Sequence, residues 1–279
     1  MTQLPSHVAA LRQHDRDRYQ TCLFAPAAVR ADLFALYAYN YEIAKTAEVV
    51  SEAMLGQIRL QWWREALDGI YAGTPRQHDV VEALSQAVAA RDLPRDALEA
   101  LIDAREFDLE GDAPENLEAL RAYASATSGG LLRLALRVVD AESPECQDAA
   151  THLGIAWALL GLLRAVPFHA RQKRIYLPVD RCRAAGLQLG DLFELRPSGA
   201  LAEVARGLAE TAAEHLRQAR HPRAAIPRRA LPVFLLATLA DRHLKRLEAA
   251  GYDPFDADLQ GEAPGQIWRL AWAALHGGY

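Results

Sequence analysis

The segment from residue 148 to residue 164 is apolar on nearly every side of the helix that it predicts. Leu153, Ile155, Trp157 and Leu163 are spread around that helix and leave no broad polar face. A helix without a polar face has to be covered by other elements on all sides, so it belongs in the middle of a helical bundle. The segment is shorter than the roughly 20 apolar residues that span a bilayer.

The rest of the sequence also predicts helices. Strand-like alternation is absent, and Ala, Leu, Arg and Glu dominate over Val and Ile. Helix starts are marked by Ser143-Pro144 and by Ser198. The sequence Ser128-Gly129-Gly130 is expected to interrupt an otherwise helical stretch. Because no flexible linker, composition break or repeat divides the sequence, we predict one all-α domain over residues 1–279.

Charge and cysteine content exclude several classes of protein. The chain has 31 basic and 36 acidic residues, a net charge of −5, and therefore no general positive field for nucleic acid. Its 3 cysteines are widely spaced, which favours a reducing compartment over a disulfide framework. No signal-like or membrane-spanning segment is visible. We predict a protein that is soluble or peripheral to a membrane, neither secreted nor transmembrane.

One motif gives a more specific indication. Leu163-Arg164 opens it and Arg174-Ile175-Tyr176-Leu177-Pro178 closes it. With Trp62-Trp63-Arg64-Glu65 and His152-Leu153-Gly154 earlier in the chain, this frame resembles the squalene/phytoene synthase superfamily. The resemblance implies the all-α isoprenoid synthase fold, a helical bundle around a central cavity.

The acidic positions of that motif are altered. In active members of the superfamily, two acidic motifs face each other across the bundle and bind Mg²⁺, which neutralises the diphosphate of a prenyl substrate. Only one of the corresponding side chains here is a carboxylate. The six positions are Ala44, Lys45 and Glu48 in the first motif and Ala165, Phe168 and His169 in the second. We therefore predict no metal site and no cofactor, with Mg²⁺ required only if the chain is a prenyltransferase after all.

Other residues near the motif allow more than one interpretation. Pro167 is expected to kink or end the helix near Val166. His169 is expected to be a polar packing residue, since no second metal ligand accompanies it. Arg164 either binds a phosphate group, or it stabilises the helix C-terminus or pairs with a carboxylate such as Glu42 or Glu48. The basic residues that follow form either an anion site or a solvated turn. The candidates for lining a cavity or binding an anion are Glu42, Arg164, Arg171, Lys173, Arg174 and Tyr176.

The residues around the altered positions are similar to those of a non-catalytic branch of the superfamily. This similarity covers the segment from Leu163 to Cys182 and the segment Tyr39-Asn40-Tyr41-Glu42. It implies a helper in the assembly of respiratory complex I, with complex I subunits or other assembly factors as partners and a lipid, quinone or isoprenoid as ligand. It also implies a location that is cytoplasmic or peripheral to the cytoplasmic face of the inner membrane. Whether the chain is an enzyme stays open, with the balance toward no activity. The alternatives are a prenyl-diphosphate-using transferase with unorthodox metal binding, and a terpenoid or lipid carrier.

The C-terminal segment, residues 264–275, carries large apolar side chains. We predict a peripheral membrane contact through Ile267, Trp268 and Trp272, because an amphipathic helix can lie in a membrane interface. Docking of this segment back onto the bundle is the alternative.

Overall fold

The computed structural model describes residues 4–261 and 265–279, without the side chain of Gln260, and within them the chain is helical without strands. Short segments of tighter or wider helix lie at Ser125–Gly129 (π), Arg223–Ala225 and Arg228–Ala230 (both 3₁₀). The α-helices are α1 Ser6–His14, α2 Arg16–Cys22, α3 Ala27–Ala44, α4 Thr46–Val49, α5 Ala53–Tyr71, α6 Asp79–Arg91, α7 Arg95–Asp103, α8 Phe107–Glu110, α9 Leu117–Ala124, α10 Gly130–Val138, α11 Pro144–Arg171, α12 Val179–Ala184, α13 Leu189–Phe193, α14 Gly199–Arg220, α15 Leu231–Phe234, α16 Leu236–Ala249, α17 Ala257–Gln260 and α18 Gln266–Leu275.

Helix α11 lies at the centre of the bundle, as its sequence predicts. It packs against α9, α10, α14 and α16 and against the π segment. Leu153, Ile155 and Leu163, which point in different directions around the helix, are all buried. Among the described residues, α11 alone is long and apolar enough to cross a membrane by length and composition, and 61% of its most apolar window is buried inside the protein. This burial is typical of a core helix, and a fully buried Leu contributes about 1.5–3 kcal/mol of stability.

Two serines cap long helices as predicted. The side-chain oxygen of Ser143 accepts a hydrogen bond from the backbone N–H of Cys146 at the start of α11. Ser198 does the same for Leu201 at the start of α14. Each serine satisfies one of the N–H groups that a helix N-terminus leaves without an intrahelical partner.

Pro167 does not end the central helix, so the predicted helix end near Val166 was wrong. Helix α11 runs through Pro167 and ends only at Arg171. A proline inside a helix removes one backbone hydrogen bond, here the one to the carbonyl of Leu163. Pro167 and Val166 are both buried against the bundle. Their packing holds the last turn in helical form despite the missing bond.

The predicted interruption at Ser128-Gly129-Gly130 was also wrong, because the chain stays helical there. Helix α9 continues through the π segment into α10 without a break. At this widened turn the backbone of Gly129 lies against Gly154 of α11: a Cβ on Gly154 would be 2.4 Å from Cα of Gly129. The π turn and the two glycines therefore allow the two helices to approach backbone to backbone.

Candidate functional site

The altered acidic positions lie at the ends of two helices that reach a common buried region. Ala44 ends α3, Lys45 follows it, and Glu48 lies on the short helix α4. The second set lies in the last two turns of α11, where His169 is partly buried and Phe168 is 41% exposed. Glu48 and His169 both interact electrostatically with Asp108, which places the surviving carboxylate and the histidine around the same buried acid.

Asp108 is the centre of this region. It is only 5% exposed, and its carboxylate accepts hydrogen bonds from the hydroxyls of Tyr123 at 2.8 Å and Tyr176 at 2.9 Å. Arg105 contacts the carboxylate at 3.4 Å and also donates to the hydroxyl oxygen of Tyr123 at 2.8 Å. Arg174 donates to the backbone carbonyl of Asp108 at 3.2 Å. We call these five residues the Asp108 cluster.

The groups that contact this carboxylate directly are hydrogen-bond donors. Burial raises the pKa of Tyr123 and of Tyr176 above their usual value, so both hydroxyls stay protonated and donate. The pKa of Arg105 is also raised: burial alone would lower it, but Tyr123 and Asp108 favour the charged form more strongly. A buried carboxylate satisfied by one cation and two hydroxyls is a stable structural unit.

His169 packs against the cluster as a neutral ring. Its centroid is 4.5 Å from that of Tyr176. The pKa of His169 is lowered to about 4, mainly by burial and also by the charge of Arg174, while Asp108 opposes the shift. The ring is therefore uncharged at neutral pH and fills space beside the tyrosine, in agreement with the predicted packing role.

Glu48 is a poorer metal ligand than its position suggests. Its pKa is raised, first by burial and then by repulsion from Asp108, while Arg105 and Arg174 oppose the shift. The other nearby acid, Glu42, is held elsewhere: it contacts Lys45 at 2.5 Å and Arg59 at 2.8 Å. The two acids therefore do not form a pair.

Lys45 is fixed where a metal-binding acid was expected. Besides its ion pair with Glu42, its ammonium group lies 4.8 Å from the ring centroid of Tyr41. A cation held by an acid and an aromatic face repels Mg²⁺ electrostatically. Across residues 4–261 and 265–279, no three His, Cys, Asp or Glu side chains are grouped so that they could hold a metal ion.

Arg164 has different partners from those predicted. Its guanidinium donates to Nε2 of His243 at 2.8 Å and contacts the carboxylate of Asp17 at 3.5 Å. The predicted ion pair with a carboxylate is therefore present, but the acid is Asp17 and not one of the two examples named from the sequence. Burial alone would raise the pKa of Asp17, but the neighbouring His243 and the charge of Arg164 lower it well below its usual range. The sequence could not reveal this pair, because Asp17 and His243 are far from Arg164 along the chain.

These three residues line a cleft of about 450 Å³ between α2, α11, α16 and the start of α18. Gly161 and Ala165 of α11 and Ile267 of α18 also line it. We call it the Arg164 cleft. The positive side chains that line it besides Arg164 are Arg16 and Arg246.

The remaining predicted anion-site residues are not brought together. Arg171 and Lys173 are exposed at the end of α11, whereas Arg174 and Tyr176 turn inward to Asp108. The alternative of a solvated basic turn therefore describes Arg171 and Lys173.

The interior contains an arginine whose burial was not predicted from the sequence. Arg18 of α2 is 9% exposed and pairs with Asp15 at 2.7 Å. Its guanidinium lies over the rings of Tyr37 on α3 and Trp157 on α11, at 5.7 and 5.9 Å from their centroids. A polar side chain thus occupies space between the two helices that carry the altered motifs. The spacing of Asp15 and Arg18, three residues apart, was the sequence feature that could have indicated their ion pair.

The family model for squalene/phytoene synthase matches residues 11–274. The chain belongs to the squalene/phytoene synthase family. A dehydrosqualene synthase solved in complex with a ligand superposes with a TM-score of 0.84 over 97% of this chain and 94% of that one, at 18% identity. The isoprenoid synthase fold implied by the sequence is therefore confirmed.

Two curated relatives within the squalene/phytoene synthase family differ in their names. Complex I (NADH dehydrogenase, ubiquinone) assembly factor 6 from Bos taurus is 33% identical over 250 residues, which are 90% of this chain and 75% of that protein. Phytoene synthase from Cereibacter sphaeroides is 30% identical over 188 residues, which are 62% of this chain and 50% of that protein. This chain is thus similar both to a protein named as an enzyme and to a protein named as an assembly factor.

Two histidines with lowered pKa values lead us to expect that this protein loses stability in mild acid. The pKa of His169 is about 4, and burial together with the charges of His152 and Arg121 lowers the pKa of His215 to about 4 as well. Both histidines titrate near 6.5 when the chain is unfolded. Between these values the unfolded state binds more protons, so the free energy of unfolding falls by up to about 1.4 kcal/mol per pH unit per histidine as the pH drops.

Urea unfolding at about pH 7 and about pH 5 measures this effect. We expect the His169→Gln/His215→Gln variant to show a smaller difference between the two conditions than the unmodified chain. Equal dependence on pH in both proteins would contradict the assignment to these two residues.

Proposed function

We propose that this protein assists the assembly of respiratory complex I and does not transfer prenyl groups. The observation that carries the proposal is the Asp108 cluster beside the altered motifs, in which the buried acid is already bound by protein side chains. Similarity to relatives named complex I assembly factor 6 supports it. Complex I subunits or other assembly factors are the proposed partners.

The chemistry of the altered positions supports a non-catalytic role. Mg²⁺ requires oxygen ligands, and Ala44, Lys45, Ala165 and Phe168 offer none from their side chains. Asp108 could supply oxygen, but its carboxylate already accepts from two tyrosines and contacts an arginine. A metal ion there would have to displace donors that are buried and well placed.

The alternative of a prenyl-diphosphate transferase has a direct test. The purified protein is incubated with farnesyl or geranylgeranyl diphosphate and Mg²⁺, and the products are extracted and analysed by mass spectrometry. We expect no product above the level of a heat-denatured control. A Mg²⁺-dependent condensation product would contradict the non-catalytic proposal.

The assembly role is tested by deleting the gene in the organism that carries it. We expect assembled complex I to decrease on native gels and to return when the unmodified gene is restored. Assembled complex II, measured on the same gels, is expected to stay unchanged and serves as the control. Normal levels of complex I in the deletion strain would contradict the proposal.

We place the finer part of the proposal, a lipid- or quinone-binding cavity, at the Arg164 cleft. Its volume of about 450 Å³ lies within the range of small-molecule sites, roughly 300–1,000 Å³. Arg164 and Arg246 suit an anionic or carbonyl headgroup, and Leu259 adds an apolar surface. The same cleft would serve the alternative of a terpenoid or lipid carrier.

Gly161 provides a variant that blocks this cleft. No atom lies within 4 Å of a Cβ added at Gly161, so Gly161→Phe fills the cleft without a clash at its Cβ. Native mass spectrometry of freshly purified protein should detect a retained small molecule in the unmodified chain and not in Gly161→Phe. The Gly207→Phe variant, also at an open glycine but on α14, is the control and should retain the molecule. Absence of any bound small molecule on the unmodified protein would contradict the proposal that the Arg164 cleft binds a lipid or quinone.

The predicted location, cytoplasmic or peripheral to the inner membrane, belongs to this proposal, as does its placement as a bacterial counterpart of the assembly factors. Fractionation of cells into soluble and membrane fractions with and without high salt measures the location. Recovery outside the cytoplasmic compartment, or only in detergent extracts of integral proteins, would contradict it.

A further inference from the structure

The last helix exposes an apolar face on its solvent side. In α18, Leu270 is fully buried against the bundle, whereas Trp268, Trp272 and Leu275 are 77%, 67% and 73% exposed. Residues four and seven positions apart lie on one face of a helix, so these three side chains form a continuous stripe opposite Leu270. We call it the tryptophan stripe. Ile267 is not part of it, because it is partly buried beside the Arg164 cleft.

A basic groove runs along this stripe. Helices α16 and α18 enclose a groove of about 920 Å³, and both tryptophans lie on its edge. Four basic residues line the groove, of which Lys245 and Arg269 are exposed. The four are Arg242, Lys245, Arg246 and Arg269.

The positive charges in this groove are close enough to repel one another. Burial lowers the pKa of Arg242, and the charges of Arg269 and Arg246 lower it further. Three acids also line the groove, of which Asp241 forms an ion pair with Arg220 at 2.6 Å outside it. The other two are Asp256, whose side chain caps α17, and Asp258. The groove therefore keeps a positive excess beside the tryptophan stripe.

We propose that α18 and the basic groove form a docking surface for an anionic phospholipid membrane. The tryptophan stripe would enter the interface between headgroups and acyl chains, where amphipathic aromatic rings are favoured. The phosphate groups of the lipids would interact with Lys245, Arg269 and the arginines behind them. This combination of apolar rings and adjacent positive charge is complementary to an anionic bilayer surface. The proposal is independent of the role in complex I assembly.

A second exposed apolar patch allows a matched control. On α5, Met54 and Ile58 are 67% and 61% exposed and lie four residues apart, but the groove beside Ile58 is lined by Glu65, Glu106 and Glu110. This patch has comparable exposed apolar residues and the opposite charge. It should not bind an anionic membrane.

The test is sedimentation of the full-length protein with vesicles of two compositions, pure phosphatidylcholine and an equimolar mixture of phosphatidylcholine and phosphatidylglycerol. We expect binding to the mixed vesicles that is at least about tenfold tighter than to phosphatidylcholine and that weakens as salt is added. The Trp268→Ala/Trp272→Ala variant should lose about tenfold or more in affinity. The Lys245→Gln/Arg269→Gln variant should lose about fivefold for each removed charge.

The Met54→Ala/Ile58→Ala variant should bind as the unmodified protein does. All substituted residues are solvent-exposed, so circular dichroism should show the same melting temperature for every variant. The proposal is overturned if the unmodified protein does not sediment with mixed vesicles, or if it binds both compositions equally. It is also overturned if the tryptophan variant binds mixed vesicles as well as the α5 control does. That result would leave the stripe to a protein partner and not to a membrane.

Discussion

Replacement of Gly154 by alanine is expected to destabilise the protein by roughly 3 kcal/mol or more and to lower the yield of folded protein. A Cβ at this position would lie 2.4 Å from both N and Cα of Gly129 and 2.7 Å from the carbonyl carbon of Ser128. All three atoms belong to the backbone, so no side-chain rotation can relieve the overlap. The central helix and the π segment would have to move apart.

A control for this substitution lies on the same helix. Gly161 has no atom within 4 Å of an added Cβ, so Gly161→Ala should stabilise the protein by about 0.5–1 kcal/mol through the better helix propensity of alanine. Urea unfolding followed by far-UV circular dichroism measures both variants. If Gly154→Ala had the same unfolding midpoint as the unmodified protein, the backbone contact between α11 and the π segment would be incorrect.

Replacement of Asp108 by alanine is the second substitution with a large expected effect, a loss of about 3–5 kcal/mol. It would remove the acceptor for the hydroxyls of Tyr123 and Tyr176 and leave the buried charge of Arg105 without its acid. An unpaired buried cation is among the most costly groups in a protein interior. We expect Asp108→Asn to be intermediate, because the amide oxygen still accepts a hydrogen bond but carries no charge.

Glu106 is the matched control for Asp108. It is two residues away and also contacts an arginine, Arg64, but its side chain is 55% exposed. An exposed ion pair contributes about 0–1 kcal/mol, so Glu106→Ala should change stability little. Similar unfolding midpoints for Asp108→Ala and Glu106→Ala would show that the Asp108 cluster does not hold this end of the bundle together.

Much of the fold could be predicted because local patterns determine it. The central position of α11 follows from its apolar surface, and the starts of α11 and α14 follow from Ser143 and Ser198. The error at Pro167 has a physical origin: local rules count the lost hydrogen bond but not the packing of Pro167 and Val166. At Gly129-Gly130 the glycines serve a close contact with α11 rather than a break.

The candidate site was predictable in part. The loss of metal ligands at Ala165 and Phe168 is visible in the sequence, and so is the i,i+3 spacing that joins Glu42 to Lys45. The Asp108 cluster could not be predicted, because Tyr176 is 68 residues from Asp108 and no local pattern links them. The same holds for Arg164, whose partner His243 is 79 residues away. Long-range polar pairs depend on how the helices pack, which single-sequence patterns do not encode.

The most direct test of an assembly role without prenyl-transfer chemistry uses Glu48. It is the only carboxylate among the six positions of the two metal-binding motifs. The chromosomal gene is replaced by one that encodes Glu48→Gln, and assembled complex I is quantified on native gels beside the unmodified and deletion strains. Burial and Asp108 already disfavour the charge of Glu48, so the variant should fold normally. The account predicts complex I at the unmodified level in the Glu48→Gln strain. Complex I at the level of the deletion strain, with the variant protein folded and present in normal amount, would contradict it.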